Sequence, residues 1–194
     1  RGRLAEALAV TTAGTADRIG DRAFWRRRAQ LGAWLGRADV ESEALELLVA
    51  MQPDAADRGR LIELWTFRGE PQKALPHAMA LADGAAEIAE AEVAAKSALA
   101  AGYVDEGLGM LARAASRAVD PTPWLVRLVD YAEQDLRLDV VRDGLERVAA
   151  IDPSADDHRL EAVYRRLDRP AELAELLQRR LARTPDDRAL WNEV

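Results

Sequence analysis

Apolar positions along the chain recur with the period of an α-helix and repeat as a block. Five positions carry Leu or Ala about one block apart, and a second set follows three residues later, one helical step along the same face. The first set is Leu45, Ala78, Leu111, Leu145 and Leu177, and the second is Leu48, Leu81, Ala114 and Val148. This pattern predicts the buried stripe of one helix in each of several similar units.

Two series of turn signals divide the apolar stripes. The first marks the turn nine residues before each stripe, at positions 2, 36, 69, 102, 136 and 168, which are spaced 34, 33, 33, 34 and 32 residues apart. Four of these positions are glycine, and Leu136 and Asp168 take the same place without it. The second series is prolines half a period away, at Pro53, Pro121, Pro153 and Pro185. Since proline ends one helix and can start the next, the two series predict two helices per repeat, and the short loops predict that they are antiparallel.

Composition supports an all-α protein. The 194 residues are 49% apolar and 31% charged, with no cysteine, a net charge of −7 and a pI near 5.0. The acidic balance argues against a nucleic-acid partner, whose binding proteins are basic. No run of 18 apolar residues predicts a membrane span in this segment. Both ends, at Arg1 and at Trp191 to Val194, are expected to be cuts within a longer protein.

Residues that carry chemistry do not form a catalytic pattern. His77 and His158 lie in different repeats without other histidines or cysteines nearby, so no metal site is predicted, and the isolated glycines form no phosphate loop, so no cofactor is predicted. The acidic pairs Asp156-Asp157 and Asp186-Asp187 follow prolines and are interpreted as helix caps. The run 26–28 is all arginine, but adjacent helical residues point about 100° apart, so a solvated face is preferred over an anion site. We predict that the chain is not an enzyme.

The repeat resembles the tetratricopeptide repeat (TPR) family. In residues 22–55, Trp25, Ala29, Gly36, Leu45 and Pro53 stand at positions 4, 8, 15, 24 and 32 of that unit. The resemblance implies a right-handed superhelical solenoid of about 11 to 12 helices that forms one domain over residues 1–194. Its approximate repeats are 1–21 (partial), 22–54, 55–87, 88–121, 122–153, 154–187 and 188–194 (partial), with Trp191 in a core position.

In this family the first helix of each repeat lines a concave groove that binds a protein or peptide, through positions 2, 5, 9, 12 and 13. The resemblance therefore implies groove residues in five repeats, with charge that is basic at the start, acidic in the middle and basic at the end. Trp34 and Phe67, at equivalent positions, also leave open the stacking of a carbohydrate. The implied groove residues are Arg26, Gln30, Trp34, Glu63, Phe67, Glu92, Lys96, Asp130, Glu133, Gln134, His158, Arg165 and Arg166. The alternative is that each is an ordinary solvated residue.

Residues 23–37, with the sequence AFWRRRAQLGAWLGR, are similar to repeats of outer-membrane exopolysaccharide-export proteins of the PelB kind. This resemblance implies a periplasmic scaffold that recruits a polysaccharide-modifying enzyme and guides exopolysaccharide to a pore. The alternatives are a cytoplasmic TPR adaptor, or a structural spacer in another bacterial assembly.

Overall fold

The computed structural model describes residues 2–85 and 87–185, and within these ranges the chain is helical and has no strand. The prediction of an all-α fold with 11 to 12 helices is confirmed, since eleven α-helices and one 3-10 turn are present in the described ranges. The helices are α1 (Gly2–Ala13), α2 (Arg22–Leu35), α3 (Ala38–Met51), α4 (Ala55–Phe67), α5 (Pro71–Gly84), α6 (Ile88–Ala100), α7 (Val104–Arg117), α8 (Thr122–Gln134), α9 (Leu138–Ile151), α10 (Asp157–Arg166) and α11 (Pro170–Arg183).

Each full repeat is one helical hairpin. The pairs α2–α3, α4–α5, α6–α7, α8–α9 and α10–α11 fall within the predicted repeats, and α1 is the second helix of the partial repeat before them. The last predicted repeat, with Trp191, and the pair Asp186-Asp187 lie outside the described residues. The chain forms two compact units, Arg1–Met110 and Leu111–Val194, which divide inside α7. A single domain over the whole chain stays a prediction.

All five hairpin turns have the same backbone geometry, whether or not they contain glycine. The turn residue has a positive φ at Gly36, Gly69, Gly102, Leu136 and Asp168, with values from 53° to 85°. The next residue donates its N–H to a carbonyl five residues back, for example Arg37 to Gly32 and Arg137 to Ala132, both at 2.8 Å. These hydrogen bonds satisfy carbonyls that the helix end leaves unpaired. Leu136 and Asp168 therefore adopt a conformation that a side chain disfavours.

The predicted stripes are buried. Each of the nine Leu, Ala and Val residues that define them is at most 7% exposed. Trp25 is 2% exposed, and its indole N–H donates to the carbonyl of Arg18 at 2.9 Å. Gly32 lies where α2 approaches α3, because a Cβ there would stand 2.8 Å from the amide nitrogen of Glu41. The hairpin thus closes more tightly than a side chain at this position permits.

Asp156 and Asp157 lie at the start of α10, as predicted, but the interpretation that their side chains cap this helix is wrong. Asp156 precedes α10 in a left-handed conformation, and its side chain makes no capping hydrogen bond. Asp157 lies in the first turn but is buried, and its carboxylate bonds to the guanidinium of Arg183 on α11. Capping by aspartate does occur before α4, where Asp54 accepts the N–H groups of Ala56 and Asp57.

Candidate binding surface

The thirteen predicted groove residues lie on the first helices of the hairpins, and the structure leaves all of them exposed or half-buried. In the first unit they lie on α2, α4 and α6, and in the second unit on α8 and α10. We call this side of each unit its first-helix face. The grouping of these residues as a binding groove stays a prediction.

Ion pairs join neighbouring helices across the first-helix face of the first unit. Arg26 of α2 forms a bidentate pair with Asp57 of α4, with Nη2 2.8 Å from Oδ2. The Asp57 side chain is only 5% exposed, and its hydrogen bond raises the pKa of Arg26. On the same side, Lys96 lies 3.0 Å from Glu92 within α6. The predicted basic start of the surface is therefore partly neutralised from within the chain.

Arg60 is a second link in this unit, and the sequence analysis missed it. It contacts Glu41 of α3 at 2.7 Å and the predicted groove residue Glu63 at 2.8 Å. The guanidinium of Arg60 donates hydrogen bonds to these two carboxylates, and these bonds raise its pKa. Glu63 is therefore held by Arg60, which lies one turn before it on the same helix.

Trp34 and Phe67 are exposed aromatic side chains at the ends of α2 and α4. They are 65% and 86% exposed, although large apolar side chains usually lie inside a folded protein. Both occupy position 13 of consecutive repeats, and Ala100 on α6 is the next residue in that series. Position 13 continues as Gln134 and Arg166 in the second unit. The apolar part of this series thus belongs to the first unit.

In the second unit Arg159 holds the predicted acidic residues. Its guanidinium on α10 lies 2.9 Å from Asp130 and 2.9 Å from Glu133, both on α8. Burial opposes the charge of Arg159, but the hydrogen bonds with the two carboxylates give a net rise in its pKa. Arg159 occupies position 6 of its repeat, as Arg60 does, and this shared position was the available sequence signal.

A small cavity opens beside Arg159. It has a volume of about 380 Å³. Its lining includes the small and apolar residues Ala162 and Val163 and the polar residues Glu133, His158 and Arg166. The structure therefore brings three of the predicted groove residues together at one place. His158 is exposed in the first turn of α10.

The three consecutive arginines diverge, as predicted, but a solvated face is wrong for Arg28. Its side chain is 5% exposed, and it bonds to Thr12 of α1 at 3.0 Å and to Glu43 of α3 at 3.0 Å. Position 7, which Arg28 occupies, is a buried apolar residue in the other four full repeats: Leu61, Ala94, Leu128 and Leu160. The sequence signal was this single departure from the repeat.

Polar links between hairpins were also missed. Glu46 of α3 accepts the indole N–H of Trp65 at 3.0 Å, and the same oxygen lies 2.9 Å from Nε2 of His77. In the second unit Glu146 of α9 accepts the hydroxyl of Tyr164 at 3.0 Å. Both acids stand at position 25 of a repeat, and both aromatic donors stand at position 11 of the next.

A large cavity in the first unit lies away from the predicted groove residues. It has a volume of about 1240 Å³ and opens between α1 and α3. Its lining contains apolar and charged residues of α1 to α4 and of the adjoining turns: Ala5, Leu8, Ala9, Thr12, Arg28, Leu35, Arg37, Asp39, Val40, Ser42, Glu43, Glu46, Leu47, Trp65 and Arg68. None of the predicted groove residues lines this cavity.

Membrane spans and metal sites are absent from residues 2–85 and 87–185. No helix in these ranges is both long and apolar enough to cross a membrane. The same ranges hold no group of three or more histidines, aspartates or glutamates arranged to bind a metal ion.

Comparison with known proteins gives a structural likeness only. No protein-family model and no curated protein matches the sequence. The structure is similar to that of a kinesin light chain-type protein from Podosopora anserina with nearly identical TPR-like repeats, at 19% identity and a TM-score of 0.42, over 86% of this chain and 95% of that one. A single-substitution variant of the same protein gives 18% identity and a TM-score of 0.40, over 86% and 93% of the two chains.

Proposed function

We propose that this chain is a non-catalytic scaffold of TPR type that holds a protein partner on the first-helix face of its first unit. The exposed aromatic pair, Trp34 and Phe67, carries the proposal. Each ring leaves a large apolar area in water at the same position of neighbouring repeats, and burial of such area is the main source of affinity between proteins. Aromatic anchors of this kind dominate binding energy at interfaces.

The charged residues around the pair would set orientation more than affinity. Arg26 is held by Asp57, and Glu63 is held by Arg60, so a partner meets side chains in fixed positions. Gln30 is exposed beside them on α2. Fixed polar groups around an apolar centre favour one binding geometry because a misplaced partner leaves them unpaired.

A pulldown from cells of the source organism tests this proposal. The double variant Trp34→Ser, Phe67→Ser is expected to lose the partner, because it removes both anchors without touching the core. Ile151→Ser is the matched control, since Ile151 is 51% exposed on α9 and does not belong to the first-helix face. If the double variant retains the same partner as strongly as the control does, the proposed surface is wrong.

The setting that we propose is the periplasmic part of an outer-membrane exopolysaccharide export protein of the Pel type, where the partner is a polysaccharide-modifying enzyme. Only the resemblance of residues 23–37 supports this setting. A cytoplasmic TPR adaptor is the alternative. The complete reading frame and fractionation of the source cells distinguish the two: an export signal and a periplasmic or outer-membrane location support the first, and a cytosolic location rules it out.

A structural spacer is a second candidate function, and the ion pairs across the face favour it. Arg26–Asp57 and Arg159–Asp130 use charges of the first-helix faces to join neighbouring hairpins, so these charges serve the array itself. In-frame deletion of residues 55–87 separates the two functions. A spacer tolerates the loss of one hairpin, whereas a partner that needs Trp34 and Phe67 together loses its site.

A further inference from the structure

The first hairpin contains a polar core site that the other repeats lack. Arg28 replaces the buried apolar residue of position 7, and Thr11, which contacts it, stands at the position of Leu45, Ala78, Leu111, Leu145 and Leu177 in the other second helices. Two positions that are buried and apolar in the other repeats are thus occupied here by a threonine and a buried guanidinium. A buried charge costs stability relative to an apolar residue of similar size. Such a departure from the repeat indicates a role outside the fold.

The guanidinium of Arg28 is incompletely satisfied by the chain. Its Nη1 donates to Thr12 and weakly to Thr11, and its Nη2 donates to Glu43 at 3.0 Å. Among the residues that the structure describes, its buried Nε has no hydrogen-bond partner. Within the same residues Glu43 is the only carboxylate bonded to the guanidinium, and the Glu43 side chain is 55% exposed. This carboxylate can therefore swing into water and leave its place to another anion.

Arg28 lines the cavity between α1 and α3, on the side of α2 turned away from the first-helix face. It lies two residues, or about 200° of helical rotation, from both Arg26 and Gln30. The cavity also exposes apolar and small side chains, among them Ala5 and Ala9 on α1, Leu47 on α3, and Trp65. Besides Arg28 and Glu43, the charged residues of its lining are bonded to neighbours: Arg37 to Asp39, Glu46 to Trp65, and Arg68 to Glu70. The buried guanidinium of Arg28 beside the apolar residues matches a ligand with an apolar face and one carboxylate.

The volume of the cavity is sufficient for a segment of α-helix. Its α1 wall runs from Ala5 to Thr12, which is about 10 Å along the helix axis. A volume of about 1240 Å³ can hold about two turns of an α-helix with its side chains. An α-helix with its side chains is about 10 to 12 Å across. An extended strand or a single acyl chain is narrower and would leave much of the groove empty.

We propose that the groove between α1 and α3 binds an amphipathic helix of another protein, with a glutamate or aspartate of that helix seated on Arg28 in place of Glu43. The small side chains of α1 let the helix approach closely, and the carboxylate sets its register. This surface is separate from the first-helix face, so it adds a second partner-binding site to the proposed scaffold and does not depend on the first.

Selection of peptides on the whole chain tests the proposal. The probe is a display library of 18-residue peptides on a helix-favouring scaffold, with the apolar and flanking positions varied. We expect enrichment of peptides with an acidic residue at the edge of an apolar face, and helical circular dichroism in the complex. Their affinity is measured on Arg28→Leu, Glu43→Gln and the matched control Arg27→Leu, which changes an exposed arginine on the same helix.

We expect the peptide affinities of the variants to depend on the guanidinium of Arg28. Arg28→Leu lowers the affinity at least tenfold, Arg27→Leu changes it less than twofold, and Glu43→Gln raises it severalfold because the internal competitor is removed. Arg28→Leu is also expected to raise the melting temperature, since leucine stands at this position in three of the other repeats. A lower melting temperature would identify Arg28 as a structural residue and overturn the proposal.

Other results of the same measurements also decide against the proposed occupant. The proposal is overturned if no helical peptide is enriched, if the enriched peptides bind Arg28→Leu as well as the parent, or if they bind in an extended conformation. Dodecanoate, an apolar carboxylate without a helix, is the control ligand. If it binds through Arg28 as tightly as the selected peptides do, the groove is a small-molecule site. If the chain dimerises through Arg28, the occupant is a second copy.

Discussion

Trp65 and Glu46 form a hydrogen bond across the junction between two hairpins, with the indole nitrogen 3.0 Å from a carboxylate oxygen. The same oxygen lies 2.9 Å from Nε2 of His77, and Lys73 and Arg68 stand 4.5 and 4.7 Å from the Trp65 ring. One acid on α3 therefore holds the side chains of α4 and α5 in place. Trp65 and His77 are at most 9% exposed, so few other acceptors are open to them.

Glu46→Ala is expected to destabilise the chain more than Glu146→Ala. The first change removes the acceptor of two nearly buried groups, and the second removes the acceptor of Tyr164 alone. At about 1 kcal/mol for each lost hydrogen bond, we expect losses of about 2 and about 1 kcal/mol in the free energy of unfolding. Urea denaturation followed by circular dichroism measures both. Equal losses would contradict the role of Glu46 as a shared acceptor.

Leu136→Gly is expected to stabilise the second unit by about 1 kcal/mol, because Leu136 has a φ of 55° and glycine adopts that conformation without steric cost. The leucine side chain is 69% exposed, so little packing is lost. Asp135→Gly is the control. Asp135 has a φ of −94°, where glycine relieves nothing, and the change should lower the thermal midpoint. A fall in the midpoint for Leu136→Gly as well would show that its side chain contributes more than the backbone strain costs.

These turns also show why the sequence predicts the fold well. The spacing of the anchors placed Leu136 and Asp168 at turns although neither is glycine, and the structure gives both the positive φ of the three glycines. The backbone hydrogen bonds of the turn depend on its length and on the helices around it. They form even where the residue is poorly suited, because the packing of two apolar stripes outweighs a local cost of about 1 kcal/mol.

Gly32→Ala is expected to destabilise the first hairpin by about 1 to 3 kcal/mol, which is typical of a close contact that must move. The new Cβ would lie 2.8 Å from the amide nitrogen of Glu41 and 3.2 Å from the carbonyl oxygen of Arg37, and backbone cannot rotate away as a side chain can. Gly59→Ala is the matched change in α4. Nothing lies within 4 Å of its Cβ, so we expect a gain of about 0.5 to 1 kcal/mol.

The stabilities of the two glycine variants and of the parent chain are compared by thermal unfolding under the same conditions. Opposite signs are the expected outcome, since helix propensity alone would favour alanine at both positions. If Gly32→Ala is neutral, α2 and α3 can separate without cost, and the close approach at Gly32 does not determine the hairpin.

The phenol of Tyr164 is expected to ionise at a higher pH than that of a free tyrosine. Burial, and then the hydrogen bond and negative charge of Glu146, raise its pKa to about 12. The neutral phenol is thus favoured in the folded state. Its contribution to stability is complete below the pKa of an unfolded tyrosine, about 10, and is lost as the pH rises to about 12.

Absorbance titration of phenolate measures this pKa. Tyr164→Phe should remove the step near pH 12, and Glu146→Gln should move it to lower pH because the carboxylate no longer opposes ionisation. The alkaline loss of stability between about pH 10 and 12 should be smaller in Tyr164→Phe. A step that does not move in Glu146→Gln would mean that burial alone sets the pKa.

The candidate surfaces were less predictable than the fold. The positions of Arg26 and Asp130 followed from the repeat, but their partners Asp57 and Arg159 did not, because an ion pair between two helices depends on how far each side chain reaches. Arg28 was misjudged because it was considered as part of a run of arginines. Comparison with Leu61, Leu128 and Leu160 at the same repeat position would have identified it as buried.

The pairing of Glu46 with Trp65, and of Glu146 with Tyr164, has a consequence for the evolution of the array. Each acid meets its donor only because one particular hairpin follows another, and the intervening junctions have Met79 before Ala98 and Ala112 before Ala132 at the same two positions. Exchanging two hairpins would keep every helix and every turn, but it would separate Glu46 and Glu146 from the aromatic side chains that donate hydrogen bonds to them. The hairpins are therefore not interchangeable modules, and a duplication or permutation of one would have to be followed by changes at both of its borders.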